Sequence, residues 1–170
     1  MAVFYQLLLK LLSTQRGLYE EYLGWAEKER RALVSNKMID LNAAIKAKEK
    51  IMAEVNRVEE ERLLLLEEME SKTGLKKPML TLQKISELCE DQELSQKFLT
   101  LKDILNGLLK QIRKINATNQ LLITHSMDYI QRTFDWISDK MKEKSATYAH
   151  LSLEGAAPMS QTRNLLNKVC

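Results

Sequence analysis

The chain has 170 residues, with 26 Lys and Arg against 23 Asp and Glu, a net charge of +3. With 5 Gly and 2 Pro, and with Leu, Ile, Met, Ala, Glu and Lys at most positions, the composition favours long helices, whose residues lose little rotamer freedom. Two cysteines exclude a disulfide scaffold, and the interspersed signs of charge exclude a concentrated nucleic-acid-binding face.

The N-terminus, MAVFYQLLLKLLS, resembles a secretory signal only superficially. No cation precedes the apolar run, Lys10 interrupts it, and no small-residue cleavage site follows. No stretch reaches the ~18 uninterrupted apolar residues of a membrane span. The reading is a cytoplasmic protein without membrane insertion.

A first helix is predicted over 3–34. Phe4, Leu8, Leu11, Gln15, Leu18, Tyr22, Trp25, Glu29 and Ala32 alternate at spacings of four and three, and Leu7, Leu12, Tyr19, Ala26 and Leu33 widen that seam. Gly17 and Gly24 weaken the helix, which suggests a close approach to a neighbouring backbone. Ser35, Asn36 and Lys37 form the only turn material before the pattern restarts.

The second helix, over 38–71, carries Leu41, Ala44, Lys48, Ile51, Val55, Val58, Arg62, Leu65 and Met69 at the same alternation. Two helices of like length joined by three residues form an antiparallel hairpin, each arm roughly 45–50 Å long. Arg62 falls in the buried phase, where it snorkels, pairs with a facing Glu or sets the register. Gly74 and Pro78 end the second helix, and Thr81 offers an N-cap to a short connecting helix over 82–89.

A last long helix is predicted over 94–144. Its seam runs, in one phase throughout, through Phe98, Leu101, Leu105, Leu108, Ile112, Ile115, Asn119, Leu122, Ser126, Tyr129, Thr133 and Trp136. Up to Ile115 every seam position is apolar. Beyond it Asn119, Ser126 and Thr133 interrupt the stripe, so this half packs less dryly or packs against something outside the chain. Trp136 keeps the phase of the seam and Phe134 falls off it.

Residues 145–170 read as a mobile interaction tail. Gly155 and Pro158 break the pattern, while Ser160 offers a cap to a short helix over 160–169. The fold expected is therefore all-α: an elongated antiparallel hairpin plus a third long helix, bundle-like or coiled-coil-like, over residues 1–144 with a tail beyond. A three-helix bundle and a homodimer that completes a four-helix layer both remain open.

No catalytic constellation accompanies this scaffold. The glycines are isolated, no HExxH, CxxC or EF-hand spacing occurs, and neither His125 nor His150 follows a Glu by three residues. The dense carboxylate run Glu59-Glu60-Glu61 points around a helix and reads as solvated charge. No enzyme, metal or cofactor is expected.

In chain order, several features resemble one family, the FlgN-type flagellar export chaperones. They are Leu18, Tyr22, Ala26-Glu27-Lys28 and Ala32-Leu33; then Glu61-Arg62; then Asn116, Asn119 and Leu121-Leu122 with Ser126 and Tyr129. Tyr148, Gly155 and the ending Asn164-Leu165-Leu166-Asn167-Lys168-Val169 complete the series. The resemblance implies a cytoplasmic chaperone that shields the C-terminal amphipathic helices of the hook–filament junction proteins FlgK and FlgL. It further implies delivery of that cargo to the flagellar export gate, with no nucleotide or metal required.

Cargo is then expected on the end of the long helix and the tail. The residues are Tyr129, Phe134, Trp136, Ile137, Met141, Tyr148, Leu151, Leu165, Leu166 and Val169. The competing expectation from the same periodicity is a structural coiled coil or adapter that self-assembles.

Overall fold

The computed structural model describes residues 2–76 and 79–154. These form four helices and no strand among the described residues: α1 (Ala2–Val34), α2 (Met38–Thr73), α3 (Leu82–Leu88) and α4 (Gln92–Glu154). The chain divides into two units, Met1–Ile123 and Thr124–Cys170, with α4 contributing to both.

Helix ends follow local chemistry. The α1–α2 turn closes through Lys37 N–H donating to the Ala32 carbonyl at 2.9 Å, with Asn36 in the left-handed region at φ 52°. Asn tolerates that conformation better than most residues. Gly74, at φ 70°, donates to the Glu70 carbonyl and ends α2. As expected, the Thr81 hydroxyl caps α3 by accepting from Lys84 N–H at 3.2 Å. The Asp91 carboxylate accepts from the N–H groups of Glu93 and Leu94, so α4 begins at Gln92, two residues ahead of expectation.

α4 also continues past the expected end near Lys144, to Glu154. The physical reason is the absence of any breaker between Lys144 and Gly155. The helix proposed over 160–169 lies outside the described residues.

Within the first unit, Gln15 of α1 meets Glu59 of α2 and Glu29 meets Lys48, so partner numbers fall along α2 as they rise along α1. The hairpin is antiparallel. α4 runs in the same direction as α1: the Tyr5 and Phe98 rings meet edge-on with centroids 6.2 Å apart, and Asn119 reaches the Ala26 carbonyl.

The interior alternates apolar and polar layers. Phe4, Tyr5, Leu8, Leu12, Leu66, Met69, Leu80, Ile85, Phe98, Leu101 and Leu105 form one cluster, where each fully buried large side chain contributes about 1.5–3 kcal/mol. Tyr5 additionally donates its hydroxyl to the Leu88 carbonyl at 3.1 Å, tying α3 to α1. A second cluster joins Tyr22, Ala26, Ile51, Val55 and Ile115.

Between the clusters lies a polar layer. Gln15 donates to Tyr19 Oη and Glu59 Oε2, each at 3.3 Å. Arg62 donates to both oxygens of Glu59, at 2.8 and 2.6 Å. Arg62 thus pairs with a Glu of its own helix, and Gln15 carries the link across to α1. The Arg62 guanidinium holds the Glu59 carboxyl below its usual range, against the opposing effect of burial.

Two expectations need correction. Leu66 is buried where the seam placed Leu65, and Leu12 and Ala26, expected only to widen the seam, are buried while Leu11 and Trp25 are half-buried. Gly17 and Gly24 serve no close approach: a Cβ added at either would meet nothing within 4 Å.

Candidate functional site

The last buried residue of α4 among the described residues is Asn119, 2% exposed. Its side-chain amide donates to the Ala26 carbonyl at 3.0 Å and to Glu29 Oε2 at 2.7 Å, and Lys48 Nζ donates to that same oxygen at 2.6 Å. Asn119 Oδ1 has no partner among the described residues. Such a buried polar group in a helical seam fixes which residues face each other.

Beyond Asn119 the apolar stripe does not stop. It changes spacing. Ile115, Asn119, Ile123 and Met127 stand four residues apart, and Ile130, Phe134, Ile137 and Met141 then resume the alternation of three and four. Phe134, Ile137 and Met141 each stand 36 residues after Phe98, Leu101 and Leu105, which is ten turns at 3.6 residues per turn. The second unit therefore repeats the helical phase that α4 uses for its core in the first.

Among the described residues of that second unit the stripe is bare. Met127, Ile130, Phe134, Ile137 and Met141 are all exposed, Phe134 at 72%. A shallow hollow is lined by Phe134, Ile137, Ser138, Met141 and Lys142. This part of α4 therefore carries a continuous apolar helix face that none of the described residues covers. Met127 and Met141, with three rotatable bonds each, allow the surface to adapt to more than one partner sequence.

Of the residues singled out by sequence, Phe134, Ile137 and Met141 come together in this hollow. Tyr129 and Trp136 are exposed but lie roughly 100° or more around the helix from the stripe. Trp136, which keeps the phase of the seam, is 63% exposed. Phe134, which falls off that phase, stands on the exposed apolar stripe. Met127 and Ile130 went unnoticed, although the four-residue spacing from Ile115 to Met127 announces them.

Tyr148 and Leu151 belong to the α4 backbone, and their side chains lie outside the described residues. Leu165, Leu166 and Val169 lie outside them altogether. Among the described residues no group of three His, Cys, Asp or Glu side chains is placed to hold a metal, and no helix is long and apolar enough to cross a membrane.

Comparison with known proteins adds one finding. A family model described as FlgN protein matches residues 1–150, which span the hairpin, α3 and nearly all of α4. No curated protein and no solved structure matches the chain.

Proposed function

The chain belongs to the FlgN family of flagellar export chaperones, and from that membership we propose that it shields the C-terminal amphipathic helices of FlgK- and FlgL-type junction proteins. The single observation that supports this reading is the uncovered stripe Met127, Ile130, Phe134, Ile137 and Met141 on α4. A cargo helix lays its own apolar face on such a stripe, with anchors at spacings of three and four. On this reading the residues that let junction proteins polymerise are occupied until export.

The contact must also release. Each apolar side chain covered contributes at most about 1.5–3 kcal/mol. The cost of fixing two bodies and ordering their side chains is subtracted from that gain. A five-residue stripe therefore gives a contact that holds cargo and lets it go. In this reading the chaperone acts in the cytoplasm, brings its cargo to the export gate and needs no cofactor of its own.

The proposal also takes Tyr129, Trp136, Tyr148, Leu151, Leu165, Leu166 and Val169 as cargo-binding residues. The test is binding of a synthetic C-terminal segment of a FlgK-type protein. Full-length chaperone should bind it one to one, and the variant Phe134→Asp should not. Light scattering of the chaperone alone separates the competing reading, because a self-assembling coiled coil grows with concentration.

A further inference from the structure

A second exposed apolar surface lies at the α1–α2 turn. Val34, Met38 and Ile39, within six positions, are exposed at 69%, 60% and 86%. Only Ser35, Asn36 and Lys37 separate the two helices, so these exposed side chains stand at the turn end of the helical hairpin. Nothing in the hairpin's own packing requires large apolar residues there. All three lie outside both core clusters.

Positive charge gathers at the same place. Residues 27–50 hold seven Lys and Arg against four Asp and Glu, an excess equal to the net charge of +3 carried by the entire chain. Two of the acids pair with two of the cations, Glu27 with Arg30 at 3.0 Å and Glu29 with Lys48 in the core, which leaves the excess of three unchanged. Lys28 rests its ammonium 3.6 Å above the Trp25 ring. It borders a hollow lined by Trp25, Lys28, Arg31, Ala32, Ser35, Lys37, Asp40 and Ala43. Arg31 and Lys37 make no ion pair among the described residues.

We propose that this turn adsorbs onto an anionic lipid surface, with Val34, Met38 and Ile39 entering the headgroup region and Lys28, Arg31 and Lys37 paired with lipid phosphates. An apolar apex fringed by cations matches the two-part chemistry of a peripheral membrane contact, where neither part suffices alone. No helix of the described residues is able to span a bilayer, so the contact is superficial and reversible.

The experiment is co-sedimentation of the full chain with vesicles of phosphatidylcholine alone and of an equimolar mixture with phosphatidylglycerol. The protein should sediment with the anionic vesicles only, and less so as salt rises and screens the headgroups. The triple variant Lys28→Gln, Arg31→Gln, Lys37→Gln should lose about a hundredfold in partitioning, at roughly fivefold per cation near such a surface. Met38→Ser with Ile39→Ser should also weaken it, and because both positions are exposed the thermal unfolding of this variant should match the parent.

Three results would overturn the proposal. The first is no binding to anionic vesicles, including the case in which the protein is instead retained by poly-L-glutamate, which would point to an acidic protein partner. The second is unchanged vesicle binding by both turn variants. The third is vesicle binding that survives those variants but is lost in Phe134→Asp, which would move the lipid contact to the α4 stripe.

Discussion

Asn119 donates its side-chain amide to Glu29 Oε2 across 2.7 Å, inside the core and on the oxygen that also takes the Lys48 ammonium at 2.6 Å. α1, α2 and α4 meet in this one cluster, at the place where the spacing of the α4 stripe changes. It sets which turn of α4 lies against Ala26, and so where the packed part of the helix ends.

The charge in this cluster predicts a measurable asymmetry. Lys48→Met leaves the Glu29 carboxylate buried without its cation and should lower stability in urea unfolding by about 3 kcal/mol. Replacing the cluster together, with Glu29→Leu, Lys48→Met and Asn119→Leu, should recover most of that loss, because an apolar layer needs no compensation. A triple variant as unstable as Lys48→Met would remove the electrostatic explanation.

Gly17 and Gly24 stand in open space inside α1. Gly17→Ala and Gly24→Ala should each stabilise the protein by about 0.5–1 kcal/mol through lost freedom of the unfolded chain. Gly74→Ala should act in the opposite direction, since φ at this position is 70°. Thermal unfolding of the three single variants checks the signs.

Acid stability should depend on Arg62. The bond from Arg62 lowers the Glu59 carboxyl from its ordinary 4.5. A depressed folded-state value means stability that is present above the unfolded value and lost as pH falls through the folded one. Below about pH 4.5 the wild type should therefore lose stability more steeply than Arg62→Met, which lacks this contribution. Parallel pH profiles of the two proteins would contradict the pairing.

Truncation after Ser145 separates scaffold from surface. It removes Tyr148, Leu151, Leu165, Leu166 and Val169 while leaving every buried residue of the described core in place. Thermal unfolding should stay close to that of the full chain, and affinity for a junction-protein C-terminal segment should fall.

Much of this arrangement was legible in the chain. The hairpin followed from two stripes of similar length and the three residues Ser35–Lys37 between them; the α3 cap followed from Thr81. The early seam of α4 followed from Phe98 to Ile115. Beyond Asn119 the alternation that serves the packed seam no longer picks out the apolar residues, whose spacing changes to four between Ile115 and Met127. Keeping the earlier alternation as far as Trp136 passed over Met127 and Ile130 and made a continuing apolar stripe look interrupted. Asn119 looked like the start of a polar decline because its partners Glu29 and Lys48 are distant in sequence, and only packing brings them to it. Glu29 and Lys48 stood in the seams of α1 and α2, but nothing in the sequence says that they meet each other and Asn119.

The most direct test of the account is calorimetric titration of the full chain, and of its Phe134→Asp and Ile137→Asp variants, with the C-terminal segment of a FlgK-type protein. Both substitutions lie at exposed positions, so the variants should unfold at the parent's temperature. The account predicts saturable binding by the parent and a loss of tenfold or more in each variant, since an aspartate set against a cargo helix forfeits about 1.4 kcal/mol or more. Equal affinity in all three proteins would contradict the assignment of the α4 stripe as the cargo surface.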